Sequence, residues 1–80
     1  LICPEEIEVN AQKSGATFAY IEYDKKITLY YQGYLNKEQF EKSIATYMKP
    51  NKYILLEGDL KQYLNANMKI NHKLLKNLYK

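Results

Sequence analysis

The sequence predicts a small α+β domain, and three patterns carry this prediction. Two alternating apolar runs flank Asp24-Lys25-Lys26 and indicate a β-hairpin. A capped apolar stripe begins at Asn36, and a long amphipathic run follows Gly58. With 80 residues the chain makes one domain, residues 1–80. We expect a three- to four-stranded, mainly antiparallel sheet with two helices.

The predicted strands alternate between apolar and polar residues or form a short apolar run. Ile7 and Val9 alternate with glutamates, which predicts a short edge strand before the hairpin. Gly33 is expected to mark a bulge or a close backbone contact at the end of the hairpin. The four predicted strands cover about residues 6–10, 17–23, 27–34 and 52–57.

The first predicted helix covers about residues 37–48. Asn36 provides an N-cap, and Gln39 is placed to return a hydrogen bond as in a capping box. Leu35 and Phe40 have the spacing of a hydrophobic staple, and Pro50 forces the helix to end.

The second predicted helix covers about residues 60–79, with Asp59 as its cap. Its apolar residues share one side and its lysines cluster on the other, but Asn67 and Asn71 fall within the apolar arc. Either the helix is broken near residues 67–71, with Asn71 capping a second piece, or an asparagine is buried and hydrogen-bonded.

The hairpin register predicts two apolar faces on the sheet. If Tyr23 lies opposite Ile27, one face carries core residues and the other carries aromatic rings. The core set is Ala19, Ile21, Tyr23, Ile27, Leu29 and Tyr31. The other set, which we call the aromatic face, is Phe18, Tyr20, Tyr30 and Tyr34. These rings need a covering layer, which is the chain's own C-terminal helix, a partner or a ligand.

Composition limits the functions that the chain can perform. It has 12 Lys and no Arg, and it is rich in Tyr, Asn and Ile, as expected from an A/T-rich genome. Without the planar guanidinium fork, specific recognition of phosphates or guanine is disfavoured. The first 24 residues are mainly acidic, whereas residues 60–80 carry five lysines and no acid. These ends attract each other across the fold, or the basic end meets an acidic partner.

No catalytic or metal-binding signature is present in the sequence. The single histidine, His72, and the single cysteine, Cys3, lie far apart and have no neighbouring catalytic residues. One Cys and one His cannot form the usual structural zinc set, and no glycine-rich phosphate loop exists. We therefore expect no catalytic residues, no metal and no cofactor, and no enzymatic activity.

The leading hypothesis is a non-catalytic protein–protein interaction module, such as an adaptor, an inhibitor or an assembly domain. Its partner would be another protein, a second copy or an acidic surface. The alternative is weak, sequence-tolerant binding of single-stranded nucleic acid through stacked tyrosines and lysines.

No apolar run is long enough for a transmembrane segment. The lone thiol fits a reducing cytosol, while a secreted or periplasmic mature form stays open. The predicted partner-binding residues are Phe18, Tyr20, Tyr30, Tyr34, Lys69, Lys73 and Lys76.

Overall fold

The computed structural model of the chain describes residues 2–78. Within them the chain forms three helices and a three-stranded sheet, with two short 3-10 turns. The elements in order are α1 (Pro4–Lys13), β1 (Ala16–Asp24), β2 (Lys26–Gly33), α2 (Lys37–Ser43), the turn Thr46–Met48, β3 (Lys52–Leu55), the turn Leu60–Tyr63 and α3 (His72–Leu78). The predicted α+β class is confirmed.

The sheet has the order β1-β2-β3. β1 and β2 form the predicted antiparallel hairpin, and Tyr23 pairs with Ile27 as expected from the alternation. A register shift between Ala16 and Phe18 lies opposite Gly33, which confirms the bulge expected there. β3 joins β2 in parallel, so one of the two strand pairs departs from the antiparallel pattern.

The predicted edge strand at residues 6–10 is wrong, because this stretch lies inside α1. Pro4 stands at the first helical turn with Glu5 and Glu6, and Lys13 stands in the last turn, where each charge favours the helix dipole. Ile7 and Ala11, four residues apart, are buried, whereas Val9 is exposed. The sequence of this stretch fits a strand with Ile7 and Val9 inward, and it also fits a helix with Ile7 and Ala11 inward. The helix forms because Ile7 and Ala11 both reach the core.

The helix predicted at residues 37–48 is shorter in the structure. The Asn36 side chain accepts a hydrogen bond from the Gln39 amide at 3.1 Å, which confirms the cap. The Gln39 side chain donates instead to the Lys13 carbonyl at 3.4 Å, so the expected return bond is absent. α2 ends at Ser43, whose hydroxyl donates to the Phe40 carbonyl at 2.6 Å and competes with helical continuation. A 3-10 turn, Thr46–Met48, follows.

Replacing Asn36 tests how much its N-cap contributes to the stability of the domain. We expect Asn36→Ala to lower the free energy of unfolding by roughly 0.5–2 kcal/mol, because the Gln39 amide loses its acceptor. Urea denaturation followed by circular dichroism measures the loss. Asn36→Ser is the control, since a serine hydroxyl can accept the same bond. Equal losses in both variants would contradict a role for the cap.

The single helix predicted at residues 60–79 is broken, which is one of the two alternatives stated above. Residues 64–71 separate the 3-10 turn Leu60–Tyr63 from α3, a wider gap than expected. Asp59 caps the turn by accepting from the Lys61 amide at 2.9 Å. Asn71 caps α3 by accepting from the Leu74 amide at 3.1 Å, as predicted for a second piece. Tyr79, at the end of the predicted helix, lies outside the described residues.

The two faces of the sheet carry two separate cores. α1 and α2 pack on the face that was predicted as the core, around fully buried Ile7, Leu29 and Phe40. The C-terminal segment, which we define as residues 59–78, covers the opposite face. That second core consists of Tyr30, Ile54, Leu56, Tyr63 and Leu75, with Phe18, Tyr20, Leu60 and Ile70 packed against it.

Candidate functional site

The aromatic face is largely covered by the chain itself. Tyr20 and Tyr30 pair across β1 and β2, with ring centroids 6.2 Å apart. Tyr30 is only 3% exposed, and Phe18 and Tyr20 are half-buried against the second core. Three of the four rings therefore have the covering layer that the sequence analysis requires, and this cover is the C-terminal segment.

Polar contacts attach the C-terminal segment to the sheet. The Tyr20 hydroxyl lies 2.5 Å from Nδ1 of His72, and the two rings meet edge to face with centroids 5.3 Å apart. Lys76 forms an ion pair with Glu22 at 3.2 Å. His72, for which the sequence predicts no neighbouring partner, thus begins α3 against β1, although its side chain remains exposed. No local signal could have found this contact, because 52 residues separate the two partners.

Tyr34 differs from the other three rings of the aromatic face. It follows the end of β2, and its side chain is 77% exposed. The predicted set of four aromatic residues therefore does not form one exposed surface. A stack of bases needs open ring faces, and within this set only Tyr34 offers a mostly exposed ring.

The lysines of the C-terminal segment lie on the outer side of this cover. Lys69, Lys73 and Lys76 are all exposed, as is Lys61, which was not among the predicted residues. Lys76 is engaged by Glu22, so Lys69 and Lys73 are the more available pair.

Lys69 lies in a loop that a β-bridge and several hydrogen bonds hold together. Leu64 and Ile70 form an isolated antiparallel bridge at its base. The Asn65 side-chain oxygen accepts from the amides of Asn67 at 2.9 Å and Lys69 at 3.1 Å. The Asn65 amide in turn donates to the Lys69 carbonyl at 2.7 Å. These bonds hold the Lys69 backbone in place while its ammonium group faces solvent.

The sheet separates the acidic and basic parts of the chain. Glu5 and Glu6 lie in the first turn of α1 on one face, and the lysines of the C-terminal segment lie on the other. Within residues 2–78 the ion pairs are Lys76–Glu22 and Lys42–Glu38. Among these described residues, Glu22 of β1 is the one acidic residue that forms an ion pair with the C-terminal segment.

The remaining reactive groups do not assemble into a site. Cys3 is exposed before α1, while His72 begins α3 on the opposite face. Among residues 2–78, no three His, Cys, Asp or Glu side chains are grouped so that they could hold a metal ion. Burial raises the pKa of the Tyr53 hydroxyl, and so does its 2.6 Å hydrogen bond to Glu41, but this pair packs beside Phe40 and has no catalytic neighbour.

Over residues 2–78, no helix is long and apolar enough to cross a bilayer.

Comparison with known proteins gives a fold and a relative size. No protein-family model and no curated protein matches the chain. Among solved structures, it resembles the crystal structure of IdnL7, with a TM-score of 0.70 and 21% identity over 95% of this chain and 15% of that one. It also resembles a Mycobacterium tuberculosis fatty acyl CoA synthetase, with a TM-score of 0.70 and 20% identity over 98% of this chain and 18% of that one. At these identities the likeness establishes the fold alone. The chain spans less than a fifth of either protein.

Proposed function

We propose that the chain works as a small accessory domain that docks on a larger protein domain through its lysine-rich C-terminal segment. The larger protein would be built like the fatty acyl CoA synthetase that the chain resembles. A domain of this kind is an assembly domain, which is one of the three forms of interaction module expected from the sequence. The observation that supports this proposal is the relative size of the matching parts. Nearly the whole of this chain matches a piece that makes up less than a fifth of each of the two solved structures.

The geometry of the C-terminal segment supports a docking role for its outer side, which carries the exposed lysines. The aromatic face is occupied by the chain's own second core, so the surface left for a partner is the outside of that cover. Lys69 and Lys73 are exposed there, and the acidic residues of α1 lie behind the sheet. Lys69 and Lys73 form no ion pair within residues 2–78, and exposed cations of this kind favour an acidic partner surface and speed its encounter.

The first test concerns the size of the natural polypeptide. An antibody raised against this chain would be used to probe extracts of the source cells. We expect a band several times larger than the 80-residue chain. A band at the size of the chain alone would contradict the accessory-domain proposal.

The second test concerns the lysines. We expect Lys69→Gln with Lys73→Gln to weaken binding of this chain to the remainder of its natural polypeptide. Isothermal titration calorimetry would measure the loss, which should be roughly 2–30-fold, since exposed ion pairs contribute about 0.2–1 kcal/mol each. The effect should shrink as salt is added, because salt screens exposed charges.

The control is the double variant Lys13→Gln with Lys42→Gln. It removes the same charge from α1 and α2, on the opposite face of the sheet. Equal losses in the two double variants would show that total charge matters and the C-terminal segment does not.

A further inference from the structure

The loop that carries Lys69 holds a methionine in an unfavourable backbone conformation. Met68 has φ +62°, in the left-handed region that residues with a Cβ rarely adopt. Glycine adopts this conformation without steric cost, because it has no Cβ. Among residues 2–78, Lys25 in the hairpin turn is the other non-glycine residue with a positive φ. The backbone of the loop therefore favours glycine at this position, and the methionine side chain needs a separate reason.

Packing within the chain does not supply that reason. The Met68 side chain is 64% exposed and belongs to neither of the two cores. The other methionine, Met48, is buried in the core that α1 and α2 cover, as expected of a large apolar side chain. Burial of a side chain of this size is strongly favourable. The apolar area of Met68 is thus available for burial by a partner.

Hydrogen bonds hold the loop around Met68 in one place. The Met68 amide donates to the Asn65 carbonyl at 2.9 Å, inside the turn that the Asn65 side chain closes. The Asn71 amide donates to the Tyr63 carbonyl at 2.9 Å, which ties the base of the loop to a buried residue of the second core. A contact surface that is already ordered loses little conformational entropy on binding. The loop therefore presents Met68 in a fixed position before any partner binds.

The neighbours of Met68 determine the chemistry of a suitable partner. Lys69 follows it in the chain, and Lys73 is exposed in α3, the next element. No acidic residue occurs between residues 60 and 80. Protein interfaces combine an apolar centre with a polar rim, and complementary charges favour the correct partner. This surface fits a pocket that is apolar at its centre and carries carboxylates at its rim. An unbranched thioether adapts well to the lining of such a pocket.

We propose that Met68 is the apolar anchor of the docking surface, and that it inserts into an apolar, carboxylate-rimmed pocket on the larger domain. This inference rests on the proposed function and adds the chemistry of the site that receives the chain. The lysines contribute encounter and orientation, whereas Met68 contributes the buried apolar area at the centre of the contact.

Replacing Met68 by asparagine separates its effect on the fold from its effect on binding. Asparagine tolerates a positive φ, so Met68→Asn should raise the folding equilibrium constant about two- to fivefold, measured by urea unfolding. The same change should weaken binding to the remainder of the natural polypeptide about tenfold or more, because a polar group replaces buried apolar area. Isothermal titration calorimetry measures this loss. Met68→Leu keeps an apolar side chain and should stay within about threefold of the unmodified chain.

Lys25→Asn is the matched control, because it relieves the same backbone conformation outside the C-terminal segment. It should stabilise the fold in the same way and change binding by less than about twofold. If Met68→Asn binds as tightly as the unmodified chain, the proposal is overturned, and the proposed function stands where Lys69→Gln with Lys73→Gln still weakens binding. Equal losses for Met68→Asn and Met68→Leu would also overturn it. If the unmodified chain does not bind, the proposed function and this inference both fail.

Oxidation by hydrogen peroxide gives a second readout that needs no variant. Peroxide transfers one oxygen atom to the thioether sulfur, which yields the sulfoxide and water. In the separate 80-residue chain, Met68 should oxidise about tenfold or more faster than buried Met48, as followed by peptide mass spectrometry. In the whole natural polypeptide, oxidation of Met68 should be about fivefold slower, because the pocket encloses the sulfur. Equal rates for Met68 in the two samples would contradict its insertion.

Discussion

Leu75→Ala should lower the free energy of unfolding by about 2–5 kcal/mol, because it removes a fully buried side chain from the second core. Leu75 comes from α3, a helix of seven residues that would not be stable alone. Its burial against Tyr30 and Ile54 is a large part of what holds the C-terminal segment on the aromatic face. In a domain of this size, such a loss is comparable to the whole stability.

Denaturant unfolding measures this loss, and the same helix supplies a control. Leu78 is 56% exposed, so Leu78→Ala should change stability by no more than about 0.5 kcal/mol. Removing the whole cover by ending the chain after Gly58 should unfold the domain or make it aggregate, because the aromatic face would be open to water. Equal losses for the two leucine variants would contradict the second core.

Gly15→Ala is the second substitution for which we expect a large loss, of roughly 2–5 kcal/mol. Gly15 joins α1 to β1 with φ +114°, a conformation that L side chains rarely adopt. An added Cβ would also lie 2.2 Å from the carbonyl oxygen of Tyr34. That oxygen belongs to the backbone, so the connection itself would have to shift. Thermal or urea unfolding followed by circular dichroism reports the loss.

Gly58→Ala separates the two causes of this effect. Gly58 also has a positive φ, of +81°, but its added Cβ would meet the end of the flexible Gln62 side chain, at 2.6 Å. We expect Gly58→Ala to cost only the conformational part, about 1–2 kcal/mol. If Gly15→Ala costs no more than Gly58→Ala, the close approach between Gly15 and Tyr34 is not a constraint on folding.

The fold covers part of the surface that the sequence predicts for a partner. The hairpin register correctly placed Tyr20 and Tyr30 on one face, because alternation along two adjacent strands determines which side chains are neighbours. Whether that face met a partner or the chain's own C-terminal segment depended on contacts between distant residues. With Tyr30 and Leu75 buried together, the predicted partner-binding residues that stay exposed are Tyr34 and the lysines on the outside of the cover.

The local sequence determined the hairpin and the helix caps. Tyr23 pairs with Ile27, Asn36 caps α2 and Asn71 caps α3, as expected. Each of these interactions joins residues that are three or four positions apart, so the side chains needed for it are visible in a short stretch of sequence.

Tertiary structure alone decided the helical state of residues 4–13, the parallel placement of β3 and the contacts of Glu8 and His72. The stretch around Ile7 and Val9 fits a strand or a helix, and the choice depends on whether Ile7 and Ala11 find a core to enter. The partners Ile21 and Tyr20 belong to β1, far along the chain from Glu8 and His72. Local propensity differs by a few tenths of a kcal/mol per residue, whereas burial of one large side chain contributes about 1.5–3 kcal/mol, so long-range packing prevails where the two conflict.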